Sequence, residues 1–147
     1  LLDFTRRVIA IRHVHPVLRR RSFFRGRPVG AAGAKDLTWL REDGREMTEA
    51  DWHDGRRRAF AMLINGEAAD ETDDRGRPIR GDTMLLLLNA DFEARTFALP
   101  DVGGAGQWVR LIDTVDGEVA AVEGPTLEVP GFSLALLRHG TERRVQW

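Results

Sequence analysis

Thr83-Met84-Leu85-Leu86-Leu87-Leu88-Asn89 is the stretch on which the fold turns. A methionine and four leucines stand together, with Gly81-Asp82 before them and Asn89-Ala90-Asp91 after. A short apolar run between turn residues reads as a strand covered on both faces, hence the centre of a sheet. Its upstream neighbour, Arg58 to Asn65, has the same property: Phe60, Met62 and Ile64 alternate with Ala59, Ala61 and Leu63, and both sets are apolar. The two are joined by Gly66 to Asp82, first acidic and then glycine- and proline-bearing, which reads as a long hairpin loop.

Working outward, short strand signals recur between turns: Ser22-Phe23-Phe24, Asp36 to Leu40, Thr96 to Leu99, Trp108 to Ile112, Thr126 to Val129 and Phe132 to Arg138. Gly30 to Ala34 and Gly103 to Gly106 are small-residue loops, and residues 46–56 read as polar turn. Seven or eight short strands at this spacing predict a mainly β, antiparallel sandwich. One short helix precedes it. Leu1, Phe4, Val8 and Ile11 recur at three-to-four spacing, with Ile9 beside them, and Pro16 stops the pattern. A helix of this length is marginal alone in water, so its apolar stripe requires a surface to lie on. The chain opens on Leu1-Leu2-Asp3-Phe4, without methionine and already inside the pattern, and the expectation is that something precedes it.

Composition narrows the function classes. The length of 147 residues fits one domain, and 22 basic against 23 acidic residues leave a net charge of −1, giving no drive toward nucleic acid or an anionic membrane. No apolar run approaches the roughly 20 residues that span a bilayer, and no secretory signal is visible. With no cysteine there is neither disulfide nor thiolate chemistry, in keeping with a cytoplasmic location. Lys35 is the only lysine.

Searching for chemistry gives little. His13, His15, His53 and His139 show no helical zinc spacing and read as surface or capping residues. The acidic group Asp70, Glu71, Asp73 and Asp74 fails the calcium-loop pattern, since Thr72 and Arg75 stand where ligand and glycine belong, and reads as a solvated loop. Asp51-Trp52-His53-Asp54 carries acids and a ring but no cleft; Trp52 reads as an anchor for an irregular segment. Ser22 and Ser133 are the only serines, and neither sits in a nucleophile elbow. Arg19, Arg20, Arg21, Arg25 and Arg27 around Phe23-Phe24 make a basic run that reads as paired with acidic surface on a missing neighbour, not with nucleic acid. The expectation is no catalytic residue, no cofactor and no metal.

Four segments in order nevertheless resemble a known family. They are Arg12-His13-Val14-His15-Pro16-Val17-Leu18-Arg19 with Ser22-Phe23-Phe24; Lys35 to Leu40 continuing through Asp43-Gly44-Arg45-Glu46-Met47-Thr48 to Asp51-Trp52; Asn65-Gly66-Glu67 with Gly76-Arg77-Pro78-Ile79 and Gly81-Asp82-Thr83; and Leu85 to Ala90. Together they are similar to the C-terminal part of bacterial glycogen debranching enzymes, isoamylase-type members of the α-amylase superfamily. The resemblance covers nearly the whole chain. Its histidine-proline element is shared across the superfamily, and the Thr38-to-Trp52 segment is the more specific part.

The resemblance implies a parent enzyme that hydrolyses α-1,6 branch linkages in glycogen or its limit dextrin. Its aspartate nucleophile, glutamate acid/base and second aspartate stand on barrel loops that would precede Leu1. Residues 1–15 would then be the end of the last helix of a (β/α)8 barrel, and residues 16–147 a non-catalytic C-terminal β-sandwich packed on it. Phe4, Val8, Ile11, Trp39 and Trp52 are the expected barrel contacts, with the barrel of the same chain as partner and glycogen reached through the parent. Isolated, such a chain is expected to expose an apolar face and self-associate. The alternative is a carbohydrate-binding module, in which Trp39, Trp52 and Trp108 form an exposed, coplanar platform for glycan.

Overall fold

A computed structural model describes residues 1–29, 33–68, 71–115 and 118–140. Helix α1 (Leu2–Val14) leads through a 3-10 turn (Pro16–Arg19) into the β region. The strands are β1 (Pro28–Val29), β2 (Ala34–Lys35), β3 (Leu37–Leu40), β4 (Ala59–Ile64), β5 (Thr83–Asn89), β6 (Arg95–Ala98), β7 (Gln107–Asp113), β8 (Ala120–Ala121), β9 (Thr126–Val129) and β10 (Ser133–Gly140). A second helix, α2 (Glu49–His53), lies between β3 and β4. Antiparallel pairing throughout gives a six-stranded sheet in the order β3-β4-β5-β10-β7-β8, a β6-β9 pair and a β1-β2 pair. The expected mainly β sandwich is what forms, and β5 lies inside the large sheet as its sequence dictates.

The two faces of that sheet are covered differently. Ala59, Ala61, Leu85, Leu87, Ala135 and Leu137 point to one face and meet Phe97 and Val129 from the β6-β9 pair. Phe97, Leu85, Leu87 and Leu137 are fully buried there. The opposite face carries Ile64, Met84, Val109 and Leu111, packed beneath Ile11 and Phe4 of α1 and Val17 of the 3-10 turn. Residues opposite one another in antiparallel strands share a face. Rows of side chains therefore run across this second face: Leu37, Ile64, Met84, Arg138 and Val109 in one; Trp39, Met62, Leu86, Leu136 and Ile112 in the next; Phe60, Leu88 and Leu134 in the third.

Three local expectations differ from the structure. Residues 46–56 hold helix α2, started by a reciprocal cap: the Thr48 hydroxyl accepts from the Asp51 N–H, and the Asp51 carboxylate accepts from the Thr48 N–H and hydroxyl. Ser22-Phe23-Phe24 forms no strand; carboxylates instead hold the backbone at its start and just after it. Glu71 accepts from the N–H groups of Arg21 and Ser22, and Asp36 from those of Arg25 and Gly26. The expected stripe on α1 also divides. Phe4 and Ile11 turn into the sheet, while Leu1, Leu2, Val8 and Ile9 face solvent. At 100° per residue, Ile9 stands about 160° round the helix from Ile11, on the far side. Gly30, Ala31 and Ala32 of the small-residue loop, and Asp70 of the acidic group, lie outside the described residues.

Candidate docking face

The face beneath α1 loses cover along the strand direction. In the first row Ile64, Met84, Arg138 and Val109 are all buried. In the second Trp39, Met62, Leu86 and Leu136 are half-buried while Ile112, at the β7 end, is buried; in the third Phe60, Leu88 and Leu134 are half-buried. The helix thus roofs one end of an apolar sheet face and leaves the other open. Beyond the third row the surface ends at Phe132, which is 76% exposed. Contiguous apolar patches on folded domains are where interaction surfaces are sought.

Trp39, Trp52 and Phe60 form an aromatic group at the β3-β4 edge of that face. Trp39 stands 5.6 Å from Trp52 at an interplanar angle of 83° and 5.6 Å from Phe60 at 68°. Such edge-to-face contacts each add about 0.5–1.5 kcal/mol beyond area burial. The α2 cap sets the position of Trp52, which is 50% exposed. Around it, Arg57 bridges Glu42 and Asp51, at 2.7 and 2.9 Å. The Thr48 N–H and hydroxyl hold the Asp51 carboxyl below its ordinary range, and the Arg57 and Arg41 cations add to this. The Arg41 guanidinium, hydrogen-bonded to Asp43, brings that carboxyl down to about 2. These groups remain ionised at neutral pH and rim the aromatic group with fixed charge.

Of the residues singled out from sequence, Trp39 and Trp52 are brought together, and Phe4 and Ile11 are brought together under the sheet. Val8 stays on the open side of α1, 42% exposed. Trp108 belongs to the other core: it is buried, its Nε1–H donates to the Pro100 carbonyl, and its ring packs edgewise on His139 at 5.1 Å. With Trp39 and Trp52 nearly perpendicular and Trp108 in the opposite core, the three indoles make no common platform. Phe60, Met62, Leu86, Leu88 and Leu134 complete the face. The signal for the first four was the doubly apolar alternation of β4 and β5, and for Leu134 the apolar stretch that became β10.

Arg20 of the basic run and His15 serve as internal fastenings, where the sequence reading set the run against a missing neighbour and His15 at the surface or a helix cap. Arg20 lies buried with Nη1 3.5 Å from the fully buried Asp36 and Nε 3.9 Å from Glu71, and its guanidinium stacks 4.6 Å over Phe24. His15 is buried at the end of α1 with Nδ1 3.2 Å from Asp82, whose other oxygen is 3.7 Å from the buried Arg138. Burial is the chief cause pushing the His15 imidazole below its ordinary value; Asp82 opposes it. These contacts anchor α1 and the segment after it to the sandwich. Among the described residues no group of three or more His, Cys, Asp and Glu side chains is placed to hold a metal ion, and no helix is long and apolar enough to cross a membrane.

Comparison with known proteins fits this architecture. A glycogen operon protein GlgX homolog of Mycobacterium tuberculosis is 38% identical over 143 residues, 94% of this chain and 20% of the relative. An isoamylase of Pseudomonas amyloderamosa is 28% identical over 138 residues, again 94% of this chain and 15% of the relative. Isoamylase 2, chloroplastic, of Oryza sativa is 32% identical over 94 residues, 61% of this chain and 11% of the relative. The chain thus spans a fifth or less of the length of these relatives. The family described as "Isoamylase, C-terminal" matches residues 36–131, from buried Asp36 to the turn before β10, and the chain belongs to that family of C-terminal domains of debranching enzymes.

Proposed function

We propose that this chain is the non-catalytic C-terminal sandwich of a cytoplasmic glycogen debranching enzyme, and that it packs on and stabilises a catalytic barrel acting on α-1,6 branch linkages. Residues 1–15 continue the barrel's last helix and residues 16–147 form the sandwich. The names and greater lengths of the relatives support the parent activity. One observation carries the docking role: half a sheet face, through Trp39, Phe60, Met62, Leu86, Leu88 and Leu134, is apolar and only half-covered by this chain. The outward side of α1, with Leu2 and Ile9, supplies a second contact to the same partner. A core that needed only its own residues would place polar side chains at those positions, as sheets with one solvated face do.

Hydroxyl-radical footprinting tests the reading. The 147-residue chain and the full-length enzyme are labelled in parallel. Trp52, Phe60 and Met62 are expected to react in the short chain and to be protected several-fold in the long one. Equal reactivity in both sinks the docking role.

A further inference from the structure

We infer that Phe132 is a pre-set anchor of the docking interface, built to insert among apolar side chains of the catalytic domain; this rests on the docking reading above. Phe132 is the one described non-glycine residue with a left-handed backbone, φ 51°. That conformation is costly for a residue with a bulky side chain. Its ring is nonetheless 76% exposed, so no burial inside this chain offsets the strain. Strain that persists at an exposed aromatic has to be held by its surroundings, and here it is. The Phe132 N–H donates to the Asp91 carbonyl at 2.9 Å. Gly131 lies so close to the neighbouring turn that a Cβ there would stand 2.1 Å from the Phe92 carbonyl oxygen. The Asn89 amide reaches the carbonyls of Glu93, Val129 and Pro130, locking the β5-β6 and β9-β10 turns into one unit.

The chemistry beside Phe132 selects the kind of partner. Its ring borders a shallow depression with Leu88, Ala90, Thr114 and Leu134. The polar side chains lining it are engaged internally. The Asn89 oxygen accepts from the Asp91 N–H, the Thr114 hydroxyl accepts from the Leu134 N–H, and the Ser133 hydroxyl donates to the Pro130 carbonyl. A sugar needs converging polar groups to receive its hydroxyls, and this depression offers an apolar lining instead. An aliphatic or aromatic protein knob fits it. The depression continues the Phe60, Leu88 and Leu134 row without a break. Relatives that match 94% of this chain carry at least four-fifths of their length outside the match. The catalytic domain of the same polypeptide is therefore the occupant.

Two measurements decide it. In footprinting, Phe132 is expected to react freely in the 147-residue chain and to lose that reactivity several-fold in the full-length enzyme, without added glucan. In thermal unfolding, Phe132→Asn is expected to raise the Tm of the 147-residue chain by roughly 2–4 °C, because asparagine tolerates the left-handed backbone. The same substitution is expected to lower the Tm of the full-length enzyme. Suppose Phe132 stays reactive in the long chain while Trp52 and Met62 are protected: the anchor is refuted and the docking reading stands. If all three stay reactive, both fall. Protection that appears only with maltooligosaccharide, or that rises with the concentration of the short chain, assigns Phe132 to glycan or to self-association and equally overturns the inference. A fall in Tm for the short chain removes the argument from strain.

Discussion

Removing the Asp36 carboxylate should loosen the segment that joins α1 to the sandwich. Asp36 is fully buried; its two oxygens accept from the Arg25 and Gly26 N–H groups, each at 2.9 Å, and Arg20 Nη1 stands 3.5 Å away. Asp36→Ala leaves two backbone donors without their acceptor and takes one buried counter-charge away from the Arg20 guanidinium. Breaking a buried ion pair by deleting one partner costs about 3–5 kcal/mol. Glu71 still lies 3.9 Å from Arg20 Nε, which places the expected loss at the lower end, about 3 kcal/mol. For a chain of this size that corresponds to a fall in Tm of roughly 6–12 °C. Urea denaturation measures the free energy, and limited trypsin digestion locates it. Arg19, Arg20, Arg21 and Arg25 offer cleavage sites throughout the tethered segment, so the variant should be cut there faster than the parent chain before global unfolding begins. A double-mutant cycle with Arg20→Ala should return a coupling of about 1 kcal/mol or more. The reasoning fails if Asp36→Ala costs less than about 1 kcal/mol and leaves the tryptic rate unchanged.

Three further outcomes are expected. His15 has a folded-state pKa below its ordinary 6.5, so the unfolded chain binds the proton more readily. The stability His15 confers is complete above about pH 6.5 and is lost as pH falls toward the folded value; urea midpoints of the wild type and His15→Gln between pH 5 and 7.5 should converge as the pH falls. Thr48→Ala removes the α2 cap and should cost about 1 kcal/mol, with a shift in Trp52 fluorescence reporting the loosened ring. Leu88→Asp with Leu134→Asp on the half-covered face should suppress self-association of the 147-residue chain in sedimentation and reduce binding of an apolar dye, with the sandwich retained by circular dichroism.

What could be read from sequence was what short-range periodicity controls. The run at residues 83–89 became β5 at those bounds, Thr126 to Val129 became β9, and the alternation of Ala59 to Ile64 gave a strand apolar on both sides. Helix α2 was missed although Thr48 and Asp51 carry the spacing of a cap, because five residues are too few for hydrophobic periodicity to register. The division of the α1 stripe was not legible either. Which apolar residues face the sheet depends on how His15, Asp82 and Arg138 fix the end of the helix, and those residues lie far apart in the chain. The half-covered face was legible only in part. Two apolar faces were visible on β4 and β5, but how much of one α1 covers is a tertiary matter. Phe132 gave no signal, since nothing in the turn Pro130-Gly131-Phe132 announces that the left-handed residue is the phenylalanine and not the glycine beside it.

The gradient along β5 links these observations. Met84 is fully buried beneath α1, while Leu86 and Leu88, on the same side of the strand, are half-buried. On the docking reading, helix and partner share one sheet face end to end, and the helix decides where the partner's share begins. The Leu85 and Leu87 side is closed by Phe97 and Val129 and does not depend on either. The domain can thus hold its fold on one face while the other stays apolar and available. On the same reading, the His15 and Asp36 fastenings act on docking at a distance. If α1 lifts, the row of Met84 and Val109 is exposed and the face offered to a partner grows and changes shape. On the docking reading, Asp36→Ala should weaken the full-length enzyme by more than it weakens the 147-residue chain, although Asp36 itself is fully buried. Equal losses in the two would mean that α1 and the open rows are covered independently, and would uncouple the tether from the interface.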